Sequence, residues 1–358
     1  MKKHAIIPVF IPHKGCPNDC IFCNQKKITS HDDLVTPEDI HNIVSEYMST
    51  LSHMNMETIE LSFFGGSFTG IPMQEQKDFL SVAKKYKESG LIQKIHLSTR
   101  PDYINEEILD NLKAYSVDVI ELGVQSFAQP VLDASCRGHD TACVYESCAK
   151  IKEYGFTLGI QLMIGLPMDT WEYDIFSARE AANIHPEIAR LYPTVVIRDT
   201  GLFQLMEQGL YTPMDEKDAV ERTAAMYRIL TKAGINVIRV GLKSSDIMSD
   251  GHNTAETFHP AFRQLVEGLI ARQDLEMQID NILQLYRQSH MTCPGIALIS
   301  NEKCRNNLFG HKSENKHYFK NKYDKISFDY LIDSQAGMRL KDGEYLAVCI
   351  SDIKDKII

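Results

Sequence analysis

Three cysteines near the start of the chain have a spacing that suits a metal cluster. Cys16, Cys20 and Cys23 form the pattern C-x-x-x-C-x-x-C, in which three thiolates can bind three irons of a cubane 4Fe-4S cluster. Such clusters normally take four cysteine ligands, so this spacing leaves the fourth iron open to a small molecule with an amine and a carboxylate. The pattern therefore predicts an iron-sulfur centre that also binds a small ligand.

A structural zinc site or a redox pair is the alternative reading of short cysteine spacings. Zinc sites usually take four ligands from paired knuckles, and no second C-x-x-C follows in this sequence. The other six cysteines are scattered without ligand spacing, at Cys136, Cys143, Cys148, Cys293, Cys304 and Cys349. We interpret those six as small buried hydrophobic residues.

The composition is that of a soluble globular protein with one large domain and an appendage. The 358 residues are 44% hydrophobic and 24% charged, enough to bury a full core. The nine cysteines, and a start too short and too rich in proline for a signal peptide or a membrane span, predict a cytoplasmic protein. The net charge of -10 disfavours attraction of nucleic acid to the whole surface, so RNA binding would need a local basic patch.

Strand-like runs alternate with amphipathic helical stretches through the first two thirds of the chain. This alternation predicts an α/β fold with parallel strands, and about six βα units would form a partial barrel rather than a closed one. Helices are predicted from Thr36-Pro37 to about Met48 and from about Gln74 to Glu88. The predicted strands are Ile6 to Ile11, Thr58 to Phe64, Lys94 to Thr99, Val117 to Val124, Thr157 to Ile164 and Ile188 to Ile197.

Polar and glycine-rich segments follow the predicted strands, where barrels of this type carry functional groups. The cysteine loop follows the first strand. The next four strands are followed by Gly65-Gly66-Ser67-Phe68-Thr69, Ser98 to Asp102, Gly123 to Ser126, and Gln161 to Pro167. The carboxyl ends of five strands are therefore expected to face one opening of the barrel, which we call the mouth.

Several of these segments resemble the radical SAM half of the Elongator catalytic subunit family. The similarity extends over about the first 270 residues, with the oxygen-independent coproporphyrinogen oxidases as wider relatives. It implies a partial (β/α)6 radical SAM barrel over residues 1–243 and a small C-terminal α+β extension over residues 244–358. The segments that carry it are Phe63 to Thr69, Ser98 to Tyr103, Glu121 to Ser126, Arg137 to His139, Tyr192 to Leu202 and His259 to Phe262.

The resemblance implies that the small ligand is S-adenosylmethionine (SAM). Gly66 and Ser67 would meet its amino group, because a Gly-Gly pair lets the backbone approach a ligand closely. Ser98 would lie near the methionine part, and the aromatic Phe22 would stand at the cofactor beside the third cysteine. An ordinary Gly-Gly turn is the alternative for Gly65-Gly66.

Three more residues receive SAM-binding roles from the same resemblance. Gln125 and Gln161 would hydrogen-bond the ribose, since amides donate to and accept from hydroxyl groups. Gln161 stands where some relatives have an acid. Arg137 would pair with the SAM carboxylate through its planar guanidinium, with a surface arginine as the alternative.

Two departures from the Elongator family limit what is carried over. This chain has the compact C-x-x-x-C where that family has a longer gap before its second cysteine. It also leaves about 90 residues after the last similar segment, so we do not expect the acetyltransferase domain of that family or its acetyl-CoA chemistry. The full reaction of that family, carboxymethylation of a tRNA wobble uridine, is therefore not assigned to this chain.

The resemblance implies a radical SAM enzyme that cleaves SAM reductively at the cluster to give a 5'-deoxyadenosyl radical. RNA, above all tRNA, is the first candidate substrate; radical chemistry on a small metabolite and a non-catalytic iron-sulfur carrier or chaperone are the alternatives. A reductant such as flavodoxin or ferredoxin is the expected partner, with tRNA as a second and no membrane. Glu121 and Tyr192 are candidates to line the substrate side of the barrel. The alternative is that each is a core residue whose polar group has a hydrogen-bond partner.

The last hundred residues combine a helical stretch from about Pro260 to Gln288 with a basic segment and two predicted strands, Ile326 to Ile332 and Tyr345 to Ile350. Tyr318 and Phe319 lie within the basic segment, an arrangement that suits RNA phosphates and bases. A solvated helix face is the alternative, because acidic residues dilute the charge. The basic residues are Lys303, Arg305, Lys312, Lys316, Lys320, Lys322 and Lys325.

Overall fold

The structure, a computed structural model, describes residues 3–11, 20–23, 35–242, 254–255, 259–293, 295–330, 340 and 342–349. It divides into two compact units, Met1–Pro260 and Ala261–Ile358. The domain boundary expected between residues 243 and 244 lies outside the described residues. Within the described ranges, no helix has both the length and the apolar character needed to cross a membrane.

A curled parallel sheet forms the first unit. Its strands are β1 (His4–Ile11), β2 (Thr58–Gly65), β3 (Lys94–Thr99), β4 (Val119–Gln125), β5 (Thr157–Ile164), β6 (Ile188–Pro193) and β8 (Asn236–Val240), hydrogen-bonded in that order. Every neighbouring pair is parallel. The two-residue strand β7 (Val196–Ile197) pairs antiparallel with β9 (Thr254–Ala255).

Helices connect successive strands, as parallel pairing requires. They are α1 (Pro37–Leu51), α2 (Met73–Glu88), α3 (Glu106–Ala114), α4 (Gln129–Ala134), α5 (Thr141–Glu153), α6 (Trp171–Ile184), α7 (Gly201–Glu207) and α8 (Glu216–Lys232). The predicted start of α1 is confirmed: Thr36 accepts from the Asp39 backbone N–H in a capping box, with Pro37 in the first turn.

The predicted partial α/β barrel is confirmed, with differences at individual strands. The sequence analysis did not anticipate β8, which adds a seventh strand to the expected six. The strand expected over residues 188–197 ends at Pro193, which lacks a backbone N–H to donate, and the next strand pairs elsewhere. The strand predicted from Val117 begins at Val119 and continues to Gln125.

The side chains of successive residues in each strand point to opposite faces of the sheet. On one face Ile7, Val9, Leu61 and Leu97 are completely buried. The opposite, concave face carries charged and aromatic side chains, among them Glu121. The apolar side therefore supplies the core, and the concave side is chemically distinct.

A small α+β arrangement forms the second unit. The long helix α9 (Phe262–Gln288) precedes β10 (Ile296–Ser300), α10 (Arg305–Phe309), α11 (Glu314–Lys322), β11 (Ile326–Tyr330) and β12 (Tyr345–Cys349). The central strand β10, which the sequence analysis missed, pairs parallel with β11 and antiparallel with β12. The core includes Leu275, Ile279, Leu298, Leu308 and Phe319.

The two aromatic residues of the basic segment make contacts inside this unit. Phe319 is completely buried in the core. The Tyr318 hydroxyl donates to Glu276, which also pairs with Lys322, and the Arg272 guanidinium lies 4.8 Å from the Tyr318 ring centre. Stacking of RNA bases on these two rings would have to displace those contacts.

The end of β2 at Gly65 generates a prediction about stability. Gly65 has a φ of 105°, and a Cβ built there would lie 2.7 Å from the Ile11 carbonyl oxygen. Gly65→Ala combines this clash with backbone strain, so we expect the free energy of unfolding to fall by about 3 kcal/mol or more. Chemical denaturation measures the change.

Gly90→Ala is the matched control. Gly90 also has a positive φ, 77°, but a Cβ there would meet no atom within 4 Å. Only the backbone strain remains, so the cost should be about 1 kcal/mol. Equal losses in the two variants would contradict the close approach of β1 and β2.

Candidate cofactor site

The segment 20–23 is fixed at the mouth of the sheet by backbone hydrogen bonds. The Cys23 N–H donates to the Cys20 carbonyl oxygen at 2.9 Å, which closes a tight turn. Ile21 donates to Ser135, just after α4, and accepts from Leu202 in the first turn of α7. Cys20 is thereby held in place and is 4% exposed.

Two of the three predicted cluster ligands, Cys20 and Cys23, are thus adjacent, while Cys16 lies outside the described residues. Cys20 and Cys23 form no disulfide bond, and neither do Cys136, Cys143, Cys148, Cys293 and Cys304, in the part of the chain that the structure describes. Among the described residues, no three His, Cys, Asp or Glu side chains gather as a metal-binding group.

Two guanidinium groups converge on the sulfur of Cys20. Arg137 Nη1 donates to Cys20 Sγ at 3.1 Å, and Arg100 Nη1 lies 3.7 Å from the same sulfur. Arg137 Nη2 donates to the Gly123 carbonyl oxygen at 2.6 Å. Both arginines are buried, so the surface-arginine alternative for Arg137 is wrong.

Arg100 is a residue that the sequence analysis missed. Its Nε and Nη2 donate to the two Asp102 carboxylate oxygens at 2.9 Å each, and Nη2 also donates to the Arg137 carbonyl oxygen. This fork fixes the guanidinium in one plane. The signal available in the sequence was an arginine and an aspartate two residues apart, directly after a predicted strand.

His139 lies beside this arrangement. Its side chain is completely buried, with Nδ1 3.7 Å from Asp102 Oδ1. Burial, and then the neighbouring Arg137 charge, lower its pKa to about 4. His139 is therefore neutral near pH 7 and adds no third positive charge next to the arginines.

Gln125 and Gln161, both predicted to bind the ribose, contact each other in the structure. Gln161 Nε2 donates to Gln125 Oε1 at 3.0 Å. The register of β4 against β5 shifts between Gly123 and Gln125, and Gln125 has a φ of 71°. Such a bulge re-aims a side chain next to a functional site. A Cβ at Gly123 would lie 3.0 Å from Gln125 Nε2, so glycine makes room for the amide.

The glycine-rich loop after β2 is tied to the rest of the mouth. The Gly66 N–H donates to the Ile11 carbonyl oxygen at 3.0 Å, and the hydroxyl groups of Thr69 and Thr99 lie 2.6 Å apart. Ser67 is buried immediately before a turn of 3₁₀ helix. The loop is thereby held beside β1 and β3.

Ser98 and Phe22 occupy different surroundings. Ser98 is half-buried and pairs in register with Glu121, on the concave face. Phe22 packs against the apolar cluster of Ala128, Val131 and Leu166. Of the predicted residues, the structure brings together Cys20 with Arg137 and Gln125 with Gln161, and Arg137 also contacts Gly123 on the strand that carries Gln125.

The loop after β5 is held by a pair of carboxyl groups. Asp169 accepts from the Gly165 N–H at 2.9 Å, and the Tyr211 hydroxyl donates to the Gly165 carbonyl oxygen at 2.7 Å. Burial and the adjacent Asp169 raise the pKa of Asp174 to about 9, although Arg222 Nη1 lies 3.2 Å from Asp174 Oδ2. Asp174 is therefore protonated at neutral pH.

These features fit an iron-sulfur cluster with a bound amino acid moiety. A cluster thiolate is anionic, and Cys20 has guanidinium donors at its sulfur. Arg137 Nε is buried without a hydrogen-bond partner among the described residues, so the group retains a donor for a carboxylate. The paired glutamine amides can donate to and accept from hydroxyl groups.

Comparison with protein families agrees with this fold. The Radical SAM superfamily model matches residues 10–177, and the Radical_SAM C-terminal domain model matches residues 186–272. Together they span well over half of the chain. The chain therefore belongs to the radical SAM superfamily, a class of enzymes that typically use a 4Fe-4S cluster and SAM and need a reductant.

Relatives of known sequence include Elongator complex protein 3 of Homo sapiens, 31% identical over 206 residues, which are 52% of this chain and 37% of that protein. An uncharacterized protein of Methanocaldococcus jannaschii is 26% identical over 215 residues, 58% of this chain and 66% of that protein. The chain spans little more than a third of the length of the Elongator relatives it matches.

The solved structure of archaeal Elp3 from Methanocaldococcus infernus, with an N-terminal deletion, has a similar fold. The TM-score is 0.55 at 20% identity, covering 70% of this chain and 62% of that one. This similarity supports the half-barrel architecture.

The raised pKa of Asp174 predicts a pH-dependent stability. The folded protein keeps a proton that the unfolded chain releases above about pH 4, so stability falls as pH rises from there towards 9, by at most about 1.4 kcal/mol per unit. Asp174→Asn keeps the neutral form at all pH values. Between pH 5 and pH 8 the variant should therefore lose less stability than the wild type in urea titrations.

Asp78→Asn, on the exposed side of α2, is the control and should keep the wild-type pH dependence. A wild-type slope in Asp174→Asn would show that Asp174 is ionised in the folded protein.

Proposed function

We propose that the chain is a radical SAM enzyme that modifies a nucleoside in RNA, with tRNA as the first candidate. The observation that carries the cofactor assignment is the buried Cys20 sulfur in contact with Arg137, which also donates to the Gly123 carbonyl oxygen of β4. The same strand carries Gln125, which accepts from Gln161. In the proposal, Cys20 is the thiolate ligand, Arg137 the carboxylate-binding group and the two glutamines the ribose-binding groups.

Each residue of the mouth has a distinct part in the proposal. Cys16, Cys20 and Cys23 hold a 4Fe-4S cluster, and Arg100 and Arg137 stabilise the negative charge of the Cys20 thiolate. Arg137 also binds the SAM carboxylate, and the backbone at Gly66 with Ser67 receives the amino group. If bound there, the cluster would pass one electron from the external reductant to SAM, and SAM would supply the carbon radical that takes a hydrogen atom from the substrate.

The remaining cofactor residues orient the rest of SAM. Gln125 and Gln161 bind the ribose, and Ser98 lies on the strand between them and the glycine-rich loop. Phe22, packed on apolar side chains beside Cys23, excludes water from one side of the cluster. A flavodoxin or ferredoxin is the proposed electron donor, in a reducing cytoplasm.

The RNA assignment is supported by the similarity to Elongator complex protein 3, which is 31% identical over 206 residues. Radical chemistry on a small metabolite is the second candidate. It is favoured by the net charge of -10 and by the internal contacts of Tyr318 and Phe319, which occupy the aromatic rings of the basic segment.

Reductive cleavage of SAM tests the cofactor assignment. Anaerobic protein, reconstituted with iron and sulfide and reduced with dithionite, should convert SAM to 5'-deoxyadenosine. Cys20→Ala should abolish cluster retention and product, because a cluster ligand is lost. Cys148→Ala, a buried thiol of α5 outside the motif, should retain both. Iron content, visible absorbance and chromatography of the nucleoside report the outcome.

Adding bulk tRNA to the same assay tests the substrate. Mass spectrometry of digested nucleosides should reveal a SAM-dependent modified nucleoside in wild type and Cys148→Ala only. A cluster that forms without any SAM cleavage, even with tRNA present, would favour the carrier alternative. SAM cleavage with unmodified tRNA would favour the metabolite candidate.

The Arg137 guanidinium should determine SAM affinity. Arg137→Gln removes a charge-assisted contact, so SAM should bind about 10- to 100-fold more weakly to the reconstituted protein. Arg137→Lys keeps the charge but not the planar fork and should give an intermediate loss. Equilibrium dialysis measures the affinity. Arg179→Gln, an exposed arginine of α6, should have no effect; unchanged affinity in Arg137→Gln would remove the residue from the SAM site.

A further inference from the structure

Arg100 is held in one orientation at the end of β3. It follows Thr99, the last residue of that strand, and precedes a turn of 3₁₀ helix over Pro101–Tyr103. Its Nε and Nη2 donate to the two Asp102 carboxylate oxygens at 2.9 Å each. Two parallel hydrogen bonds occupy this edge of the guanidinium, so Asp102 determines where the third nitrogen, Nη1, points.

The third nitrogen points at Cys20. Arg100 Nη1 lies 3.7 Å from the Cys20 sulfur, and the side chain of Arg100 is 4% exposed. Cys20 is itself buried. Water therefore does not screen this contact, and a positive donor has a larger effect on the sulfur than it would have in solvent.

The planar shape of the guanidinium keeps the Asp102 charge away from the sulfur. The edge formed by Nε and Nη2 is opposite Nη1, so the carboxylate and the sulfur lie on opposite sides of the group. The ion pair of Arg100 and Asp102 is therefore a dipole with its positive end directed at Cys20. The carboxylate orients the donor without bringing its own negative charge next to the sulfur.

Arg100 and Arg137 differ in the donors that they have left for a ligand. Arg137 Nε is buried without a hydrogen-bond partner among the described residues. In Arg100, Nε and Nη2 have Asp102 as acceptor, and Nη1 has the Cys20 sulfur. Nη2 also donates to the Arg137 carbonyl oxygen. Arg137 therefore keeps a nitrogen for a ligand carboxylate, whereas each nitrogen of Arg100 already contacts the protein.

A cationic donor at a ligand sulfur favours the reduced state of an iron-sulfur cluster. Reduction adds one negative charge to the cluster and its thiolates, and a nearby positive group stabilises the more negative state. Hydrogen bonds to the sulfurs are one of the factors that set the potential of such clusters. Removal of a donor from the Cys20 sulfur should therefore lower the midpoint potential.

We propose that Arg100, held by Asp102, raises the reduction potential of the cluster and takes no part in binding SAM, whereas Arg137 contributes to both. Asp102 acts through Arg100 and is a positioning residue, since it keeps Nη1 at the sulfur. This inference rests on the proposed function, because it takes Cys20 as a ligand of a 4Fe-4S cluster. It requires no particular substrate, so it applies equally to RNA and to a small metabolite.

The midpoint potential of the cluster tests the role of Arg100. Full-length protein, reconstituted without SAM, is titrated anaerobically with dithionite in the presence of redox mediators and followed by EPR. In Arg100→Gln the equilibrium constant for one-electron reduction should fall about tenfold, a shift of about 59 mV to lower potential. Arg100→Lys keeps the charge but loses the fork, so its potential should lie between those of the wild type and Arg100→Gln. An unchanged midpoint in Arg100→Gln would overturn the proposal.

Asp102→Asn tests the positioning role, and it decides the question if Arg100→Gln holds no cluster. Loss of the carboxylate charge alone would raise the potential, whereas loss of the fork withdraws the donor and lowers it. Because the carboxylate lies on the far side of the guanidinium, loss of the donor should outweigh loss of the charge. The proposal therefore expects a lower midpoint than in the wild type, and a higher or unchanged midpoint contradicts it.

Arg222→Gln is the matched control, because it also removes a largely buried arginine that contacts carboxyl groups. Arg222 of α8 lies 3.2 Å from Asp174 Oδ2 and 3.0 Å from Asp218 Oδ2. Both variants should lower the free energy of unfolding, but only Arg100→Gln should shift the midpoint potential. An equal shift in Arg222→Gln would mean that the potential follows a general loss of stability, and the proposal would then be wrong.

SAM affinity separates the roles of the two arginines at Cys20. In equilibrium dialysis with the reconstituted protein, Arg100→Gln should bind SAM within about threefold of the wild-type affinity. Arg137→Gln should bind it much more weakly, as expected above for loss of a carboxylate-binding group. A loss of affinity in Arg100→Gln as large as in Arg137→Gln would assign both arginines to SAM and contradict the division of roles.

This inference and the proposed function fail separately in these experiments. A wild-type protein that cleaves SAM, with an Arg100→Gln variant of unchanged midpoint potential, overturns the role of Arg100 and leaves the proposed function standing. A midpoint potential that falls in Arg100→Gln, in a protein that does not cleave SAM, supports the role of Arg100 and overturns the proposed enzyme activity. A wild-type protein that holds no cluster overturns both.

Discussion

Two buried guanidinium groups contact the Cys20 sulfur, and the mouth of the half-barrel depends on how their positive charge is balanced. Burying a guanidinium is unfavourable unless an anion and hydrogen-bond acceptors replace its water. Arg100 meets this condition with the Asp102 carboxylate. Arg137 has the Gly123 carbonyl oxygen and the Cys20 sulfur, and its Nε has no partner in the part of the chain that the structure describes.

The balance at Arg137 therefore calls for negative charge at or near Cys20. A thiolate that binds iron and a carboxylate of the bound ligand both meet that requirement, and a neutral His139 avoids adding to the positive charge. The same reasoning explains why the cysteine segment must be rigid. Its hydrogen bonds to Ser135 and Leu202 keep the sulfur within reach of both arginines.

Much of the fold could be predicted because its signals are local. Hydrophobic runs separated by amphipathic stretches indicated six parallel strands, and Thr36-Pro37 marked a helix start that the capping box confirms. The strand β8 was missed because Asn236–Val240 is short and contains an arginine on the concave face, so it lacks a continuous apolar run. The central strand β10 of the second unit, Ile296–Ser300, was missed although all its residues are buried.

Within the candidate site, the proximity of two residues could be predicted where both lie at the ends of neighbouring strands. Gln125 and Gln161 meet because parallel strands put their carboxyl ends at one edge. The role of Arg100 was not predictable in this way, since it depends on a cysteine eighty positions earlier in the chain. Likewise, the bulge that turns Gln125 is a property of the β4–β5 register, which no single strand sequence reveals.

Two buried carboxyl groups of the first unit show that neighbouring groups can shift a pKa in opposite directions. Burial raises the pKa of Glu60, but the hydrogen bond and charge of His96, together with Ser62, outweigh it and hold the pKa at about 2. Asp174, beside a second carboxyl group, has its pKa raised to about 9. Glu60 on the concave face is thus ionised throughout the physiological pH range, whereas Asp174 in α6 keeps its proton until the pH approaches 9. A rise of pH towards 9 would therefore ionise Asp174, which lies beside the loop after β5, and would leave the Glu60 carboxylate on the concave face unchanged.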